Sequence, residues 1–345
     1  MDNYFNSHGN KNVTNIGVNK APIINFATQI KIPSNVVSPN GFTGRNTELA
    51  ELQKLKNEGD AAFVLHGIGG IGKTELARKF IQNVAENYES HIEINMLGMS
   101  DDYLTTENAM LQIVRMFDSE FNDFKNLKSA FIQFINQQKT ILFLDNVLDK
   151  QQAESLNITN AFLIVTTREH FVLHGGKSVP VQKLSEEDAV ELIFSISGEE
   201  NISDGEAKQL ASLADYMPMA INPLASILAE DVTESAENLI RLYSDKINLL
   251  QLHDTRHDDL TVAATFDLSY QRLSDELKLK WAKLSVFHSS FDIDAVLTIW
   301  NDKDGQKHLS YLVKHNLVNF DKSENRYDLH DLIRVFMISK LTAAE

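Results

Sequence analysis

The sequence predicts an α/β fold: a parallel sheet with helices on both faces, followed by a small helical unit and a winged-helix module. Three observations predict it. From about residue 42, short apolar runs alternate with amphipathic stretches. Near residue 184 the strand signals stop and helical ones take over. Close to the end, two short alternating runs flank a polar turn and lead into a last helix.

Each element follows from its own residues. AAFVLHG (61–67), HIEINML (91–97), TILFLDNV (140–147) and AFLIVTTR (161–168) read as buried strands, with helical stretches near 73–88, 105–118 and 124–137 between them. That alternation implies a parallel sheet with ligands at the carboxyl ends of its strands. LSEEDAVELIF opens with a serine and acids, which cap a helix start and complement its dipole. GEAKQLASLADYMPMAINPLASILAE and SAENLIRLYSDKI carry the helical unit to about residue 250. After 260, helices lead to LVNFDKSENRYDLHDLIRVFMISKL, whose two runs, turn and helix suit a winged helix. The expected division is 1–40, 41–183, 184–257 and 258–345.

Residues 1–40 have no apolar period and carry Asn3, Asn6, Asn10, Asn12, Asn15, Asn19 and Asn25. They read as a flexible leader. NKNVTNIGVNKAPIINF alternates polar and β-branched residues, so a short signalling motif that stacks on assembly stays open beside that reading.

The composition, 43% hydrophobic and 23% charged, is that of a soluble globular chain, and no apolar run is long enough to span a membrane. With no cysteine, disulfides, thiolate metal sites and cysteine nucleophiles are excluded, which fits a reducing compartment. MDNYFNSHGNKNV lacks the basic and apolar regions of a secretory signal, so a cytoplasmic location is expected. A net charge of −16 works against phosphate-backbone binding, and no nucleic-acid partner is expected.

The stretch HGIGGIGKTELARKF carries the chemistry. Gly67, Gly72, Lys73 and Thr74 complete G-x-x-x-x-G-K-[ST] between a strand and a helix, with Gly69, Gly70 and Ile71 inside the loop and Glu75 in the first helical turn. Such a loop turns successive N–H groups toward phosphate oxygens, and the helix start adds its positive dipole end. Lys73 then reaches the β- and γ-phosphates and Thr74 offers a hydroxyl to Mg²⁺. A plain strand-to-helix turn explains neither residue. Asp145, at the carboxyl end of ILFLD, is the matching carboxylate for the Mg²⁺ shell.

With these residues in place the chain resembles the NB-ARC branch of the STAND nucleotide switches, which includes plant disease-resistance proteins, animal apoptosome scaffolds and bacterial defence or regulatory proteins. The motifs stand in family order: GFTGRNTEL, GIGGIGKT, LFLDN, IVTTR, YMPMAI and YDLHDLIRVF. The resemblance implies that Phe42, Gly44 and Arg45 hold adenine and ribose, that Arg168 meets the γ-phosphate, that Pro218 packs on the nucleotide, and that His330 meets the β-phosphate of ADP. It further implies ATP/ADP and Mg²⁺ as ligands, with Lys73, Asp145 and Arg168 the groups for any hydrolysis. A state closed with ADP, homo-oligomerisation with ATP, and a separate trigger or sensor partner, in defence or regulated signalling, follow as expectations.

Two positions depart from the family. Its second acid after the Walker B aspartate is Asn146 here, and an amide cannot take a proton from water, so at most a slow ATPase is expected. Tyr216 stands where the family has glycine. Two other functions are weighed: a nucleotide-controlled transcription regulator using its winged helix, and a faster AAA+-like ATPase. Against the first, the last helix offers only Arg334 and Lys340, beside Asp328 and Asp331.

Overall fold

The computed structural model describes residues 34–36, 42–98, 103–230, 233–251, 257–322 and 324–342. Both readings of the leader concern residues that fall, apart from 34–36, outside those described.

The expected layers are present. After α1 (Asn46–Asn57), β1 (Ala62–His66) feeds α2 (Lys73–Val84), and β2 (Ser90–Asn95), α3 (Thr106–Phe117), α4 (Leu127–Asn136), β3 (Thr140–Val147), α5 (Lys150–Glu154), β4 (Ala161–Thr167) and β5 (Gly176–Pro180) follow. The five strands form one sheet in the order β2-β3-β4-β1-β5, and every neighbouring pair is parallel. Alternation along each strand splits the core in two. Phe63, Leu65, Ile141, Phe143, Phe162 and Ile164 point to the face covered by α2, whereas Val64, Leu142, Leu144, Leu163 and Val165 enter the core shared with α3 and α4. Fully burying side chains of this size contributes about 1.5–3 kcal/mol each.

Strand β5 is absent from the sequence expectation. Its GKSVP buries one side chain, Val179, and has glycine and proline at its ends, so no apolar run marks it. Its position comes from pairing with β1, where Ala62 faces Gly176 and His66 faces Pro180.

The helical part comprises α6 (Glu186–Ser197), α7 (Asp204–Leu213), α8 (Pro218–Glu230), α9 (Ala236–Gln251) and α10 (His257–Gln271). Ser185 caps α6 by accepting the Asp188 N–H at 3.0 Å, as its sequence predicts. Pro218 takes the first position of α8, where proline has no hydrogen bond to lose. The winged helix follows with α11 (Asp275–Lys283), α12 (Ile293–Trp300), α13 (Gln306–Lys314), the antiparallel pair β6 (Asn319–Asp321) and β7 (Arg326–Asp328), and α14 (Asp331–Thr342). A bridge between Phe291 and Tyr327 adds the third strand contact of the wing.

One hydrophobic core runs from the α2 face through both following units: Leu76 and Phe80 belong to the same cluster as Met217, Leu224, Trp281 and Met337. Polar ties reinforce it. Asn316 Nδ2 donates to Ser226 Oγ at 2.6 Å, Arg272 pairs with Glu234 at 2.5 Å, and Asp267 of α10 takes Lys340 of α14 at 2.5 Å and Lys246 of α9 on its other oxygen. At the free edge of β2, Asn35 N–H donates to His91 O at 2.9 Å, and its side chain meets Glu93 N–H and C=O at 2.7 and 3.0 Å. No helix among the described residues is long and apolar enough to cross a membrane.

Candidate nucleotide-binding site

Between β1 and α2 the glycine loop does what its spacing demands. Gly70 (φ 75°) and Gly72 (φ 97°) take left-handed backbone that side chains rarely adopt. Gly72 caps α2 with no side-chain partner, and the first intrahelical bond is Leu76 N–H to Gly72 O at 2.9 Å. The N–H groups of Lys73, Thr74 and Glu75 therefore precede the helical ladder, at the positive end of the dipole.

The Lys73 ammonium lies over this loop, donating to Gly67 O at 2.9 Å and Ile68 O at 2.8 Å. Burial and the nearby Arg168 charge, partly offset by Asp145, push its pKa down to about 8. Asp145 accepts from the Thr74 hydroxyl at 2.8 Å and from the Thr166 hydroxyl at 2.5 Å on the same oxygen. Thr166 in turn accepts the Asn146 backbone N–H at 2.9 Å. The sequence reading missed Thr166, whose signal was its place two residues before Arg168 on the strand beside β3.

Three further segments meet at the loop. A Cβ on Gly69 would lie 2.4 Å from Arg168 Nη2 and 3.2 Å from Leu332 Cδ1 of α14. On Gly70 it would meet the Met219 side chain at 2.9 Å, and on Gly72 it would come within 3.8 Å of Pro218 Cγ, both from α8. Arg168, Pro218 and the start of α14 thus converge on the glycine loop. Tyr216 holds a left-handed backbone, with φ 56°, fixed by its N–H to Ala211 O at 3.0 Å and its C=O taking Leu184 N–H at 3.1 Å. That conformation favours glycine.

His330 sits just before α14. Its Nδ1 accepts the Leu332 N–H at 3.2 Å, which leaves the proton of the neutral ring on Nε2. Burial pushes its pKa down to about 4, against the opposing Asp331 and Asp145 charges and with help from Lys73 and Arg168. The ring is therefore a neutral hydrogen-bond donor at pH 7, within the field of the loop's own charges. Next to it, Asp331 accepts the Asn146 side-chain amide at 2.5 Å.

The N-terminal motif packs on the end of the glycine loop. Arg45 is 3% exposed, and its guanidinium is taken by Glu48 at 2.6 Å, Gln182 O at 2.5 Å and Ile71 O at 2.7 Å. It braces the end of the glycine loop against α1 and the segment after β5. Gly44 (φ 70°) packs on Asp188, where a Cβ would fall 2.4 Å from Cγ, and Phe42 is half-buried against the core. Glu75 accepts from Arg78 at 2.8 Å, while its other oxygen is buried without a partner among the described residues.

This donor set fits a nucleotide polyphosphate with a hard cation: an uncapped helix start, a lysine held by carbonyls, and a hydroxyl–carboxylate pair of oxygens suited to Mg²⁺. Elsewhere, Glu276, Asp302 and His308 cluster like metal ligands, but the Lys280 ammonium bonds all three at 2.6, 2.6 and 2.8 Å and fills the cation's place.

The family model described as the NB-ARC domain matches residues 46–203. Regulatory protein AfsR of Streptomyces griseus is 27% identical over 333 residues, covering 92% of this chain and 34% of its own. Disease resistance protein RPP13 of Arabidopsis thaliana is 25% identical over 262 residues, 67% of this chain and 29% of its own. The chain thus spans about a third of the length of these relatives. Among solved structures, a signal transduction ATPase with numerous domains (STAND) bearing a tetratricopeptide repeat sensor, from Pyrococcus horikoshii, shares the fold with a TM-score of 0.60 at 21% identity, over 89% of this chain and 43% of that one.

Proposed function

This chain carries an NB-ARC domain and is a nucleotide-binding protein, and from that premise we propose that it is a STAND-type switch, closed with ADP and opened by ATP into a homo-oligomer. The observation that carries the reading is convergence: Arg168 after β4, Met219 and Pro218 of α8, and Leu332 of α14 all crowd the same three glycines. Segments spread across the chain thus share one polyanion site. We assign phosphate binding to the loop N–H groups and Lys73, a γ-phosphate contact to Arg168, packing to Pro218, and a β-phosphate contact to the neutral His330 Nε2–H. Thr74 and Asp145 would hold Mg²⁺, which when bound neutralises phosphate charge. Phe42 and Gly44 line the base end.

Hydrolysis is assigned a slow rate, because no carboxylate follows Asp145 to accept a proton from water. Moving a switch from 1:99 to 99:1 requires about 5.5 kcal/mol of differential binding. One phosphate supplies part of this, so a trigger or sensor partner supplies the rest. Signalling in defence or regulation is the context this reading implies.

A second reading, a nucleotide-controlled transcription regulator, draws support from the similarity to a protein named as regulatory. Against it, Arg334 is 7% exposed and bonded to Phe287 O and Leu329 O, and Lys340 is paired with Asp267. A salt-dependent shift of random duplex DNA would favour the regulator.

The switch reading is tested by melting. ADP at 100 times its dissociation constant should add about 2.7 kcal/mol to the folded state, and Lys73→Ala should abolish that gain. A melting temperature indifferent to ADP in the wild type contradicts the reading.

A further inference from the structure

Residues 34–36 lie on the free edge of β2 in parallel register, with Ser34 bridged to His91. Their hold is largely polar. Asn35 N–H donates to His91 O at 2.9 Å, and the Asn35 amide closes on the next residue with outward main-chain groups, accepting Glu93 N–H at 2.7 Å and donating to Glu93 O at 3.0 Å. A side-chain amide thus continues the ladder where the main chain of a neighbouring strand would, and Val36 packs against the core shared with α2.

The two β2 residues engaged in this way are the two whose side chains grip α2. His91 Nε2 donates at 3.1 Å to the carbonyl of Ala85, where the helix ends, and its Nδ1 takes the Ser34 hydroxyl at 3.3 Å. Glu93 takes Arg78 of α2 through Nη2 at 2.6 Å and Nε at 3.2 Å, and Arg78 Nη1 reaches back at 2.8 Å to Glu75 in the first helical turn, next to Thr74. Ile92 and Ile94 point the other way, into the core shared with α3 and α4. Charge-assisted hydrogen bonds are directional, so a shift of the edge at Glu93 is passed to α2 instead of being absorbed by apolar sliding.

We propose that Asn35 is a positioning residue for nucleotide binding: by fixing the edge of the sheet at Glu93 it sets, through Arg78, where the start of α2 stands. The inference rests on the nucleotide site proposed above. Coupling of this kind is reciprocal, so bound nucleotide tightens the hold of residues 34–36 by the factor that the hold adds to affinity. Covering an open strand edge would by itself account for a docked segment. Mere cover, however, predicts no response to nucleotide.

The test uses the whole chain with ADP as the probe. Asn35→Ala should weaken ADP binding about 5-fold by calorimetry, equivalent to about 1 kcal/mol. Asn35→Asp keeps the acceptor for Glu93 N–H and loses the donor to Glu93 O, so its affinity should fall between those of Asn35→Ala and wild type. Amide-resolved hydrogen exchange at Glu93 supplies the readout that mere edge cover would leave unmoved: saturating ADP should slow it about 5-fold in wild type and leave it unchanged in Asn35→Ala. Equal ADP affinity in Asn35→Ala and wild type, or Glu93 exchange indifferent to ADP in wild type, overturns the role of Asn35. Wild-type protein that binds no ADP would instead sink the nucleotide site on which the inference rests. Should Asn35→Ala fail to fold, Asn35→Asp and the wild-type exchange decide the matter.

Discussion

The guanidinium of Arg168 lies across Gly69 so closely that a methyl group on that glycine would sit 2.4 Å from Nη2. The end of β4 and the phosphate loop are thereby fitted to one another, with Leu332 of α14 on the same glycine.

Gly69→Ala should therefore separate binding from folding. The clashing atom is the far end of a flexible side chain, so the fold can yield by moving Arg168, at a stability cost below about 1.5 kcal/mol. On the proposed γ-phosphate contact of Arg168, affinity for a nucleoside triphosphate should fall about 10-fold or more by calorimetry.

Lys73 predicts a linkage on the alkaline side. Its folded pKa is about 8 against an ordinary 10.5. Between those values the unfolded lysine keeps its proton while the folded one has lost it, so stability without nucleotide should rise with pH through that window. A bound polyphosphate favours the ammonium, so ADP binding near pH 9 should take up a proton. Calorimetry in buffers of different ionisation enthalpy measures this, and Lys73→Met should eliminate it.

His330 gives the acid counterpart. With its folded pKa near 4 and an ordinary value of 6.5, the unfolded state binds more protons between the two, and stability should fall as pH falls from 6.5 toward 4. His330→Ala should flatten that part of the melting profile. It should also speed nucleotide exchange and increase oligomer at neutral pH, as judged by light scattering.

Asp267 ties α9, α10 and α14 through two lysines. Burial alone would raise its pKa, but Lys246 and Lys340 outweigh it and hold the carboxyl below its usual range. Asp267→Ala leaves two cations facing a hole and should cost about 2–3 kcal/mol in urea unfolding.

Much of this architecture is legible in the sequence because local pattern and burial coincide. Val64, Leu142 and Leu163 alternate with Phe63, Ile141 and Phe162 as the two cores require, and Gly67 to Thr74 mark the loop outright. Strand β5 is silent because an edge strand with one buried residue leaves no apolar run. Arg45 illustrates a second limit: the tertiary structure surrounds its guanidinium with the carbonyls of Ile71 and Gln182, which no local window reveals. The Asn146–Asp331 bond is illegible for the same reason, since only folding brings residues so distant in sequence together.

Denaturing the purified chain and quantifying the nucleotide it releases tests the central claim most directly. A nucleotide enclosed by the loop, α8 and α14 predicts close to one equivalent of ADP, lost in Lys73→Ala. Release of no adenine nucleotide, together with no binding of added ADP or ATP, would contradict it.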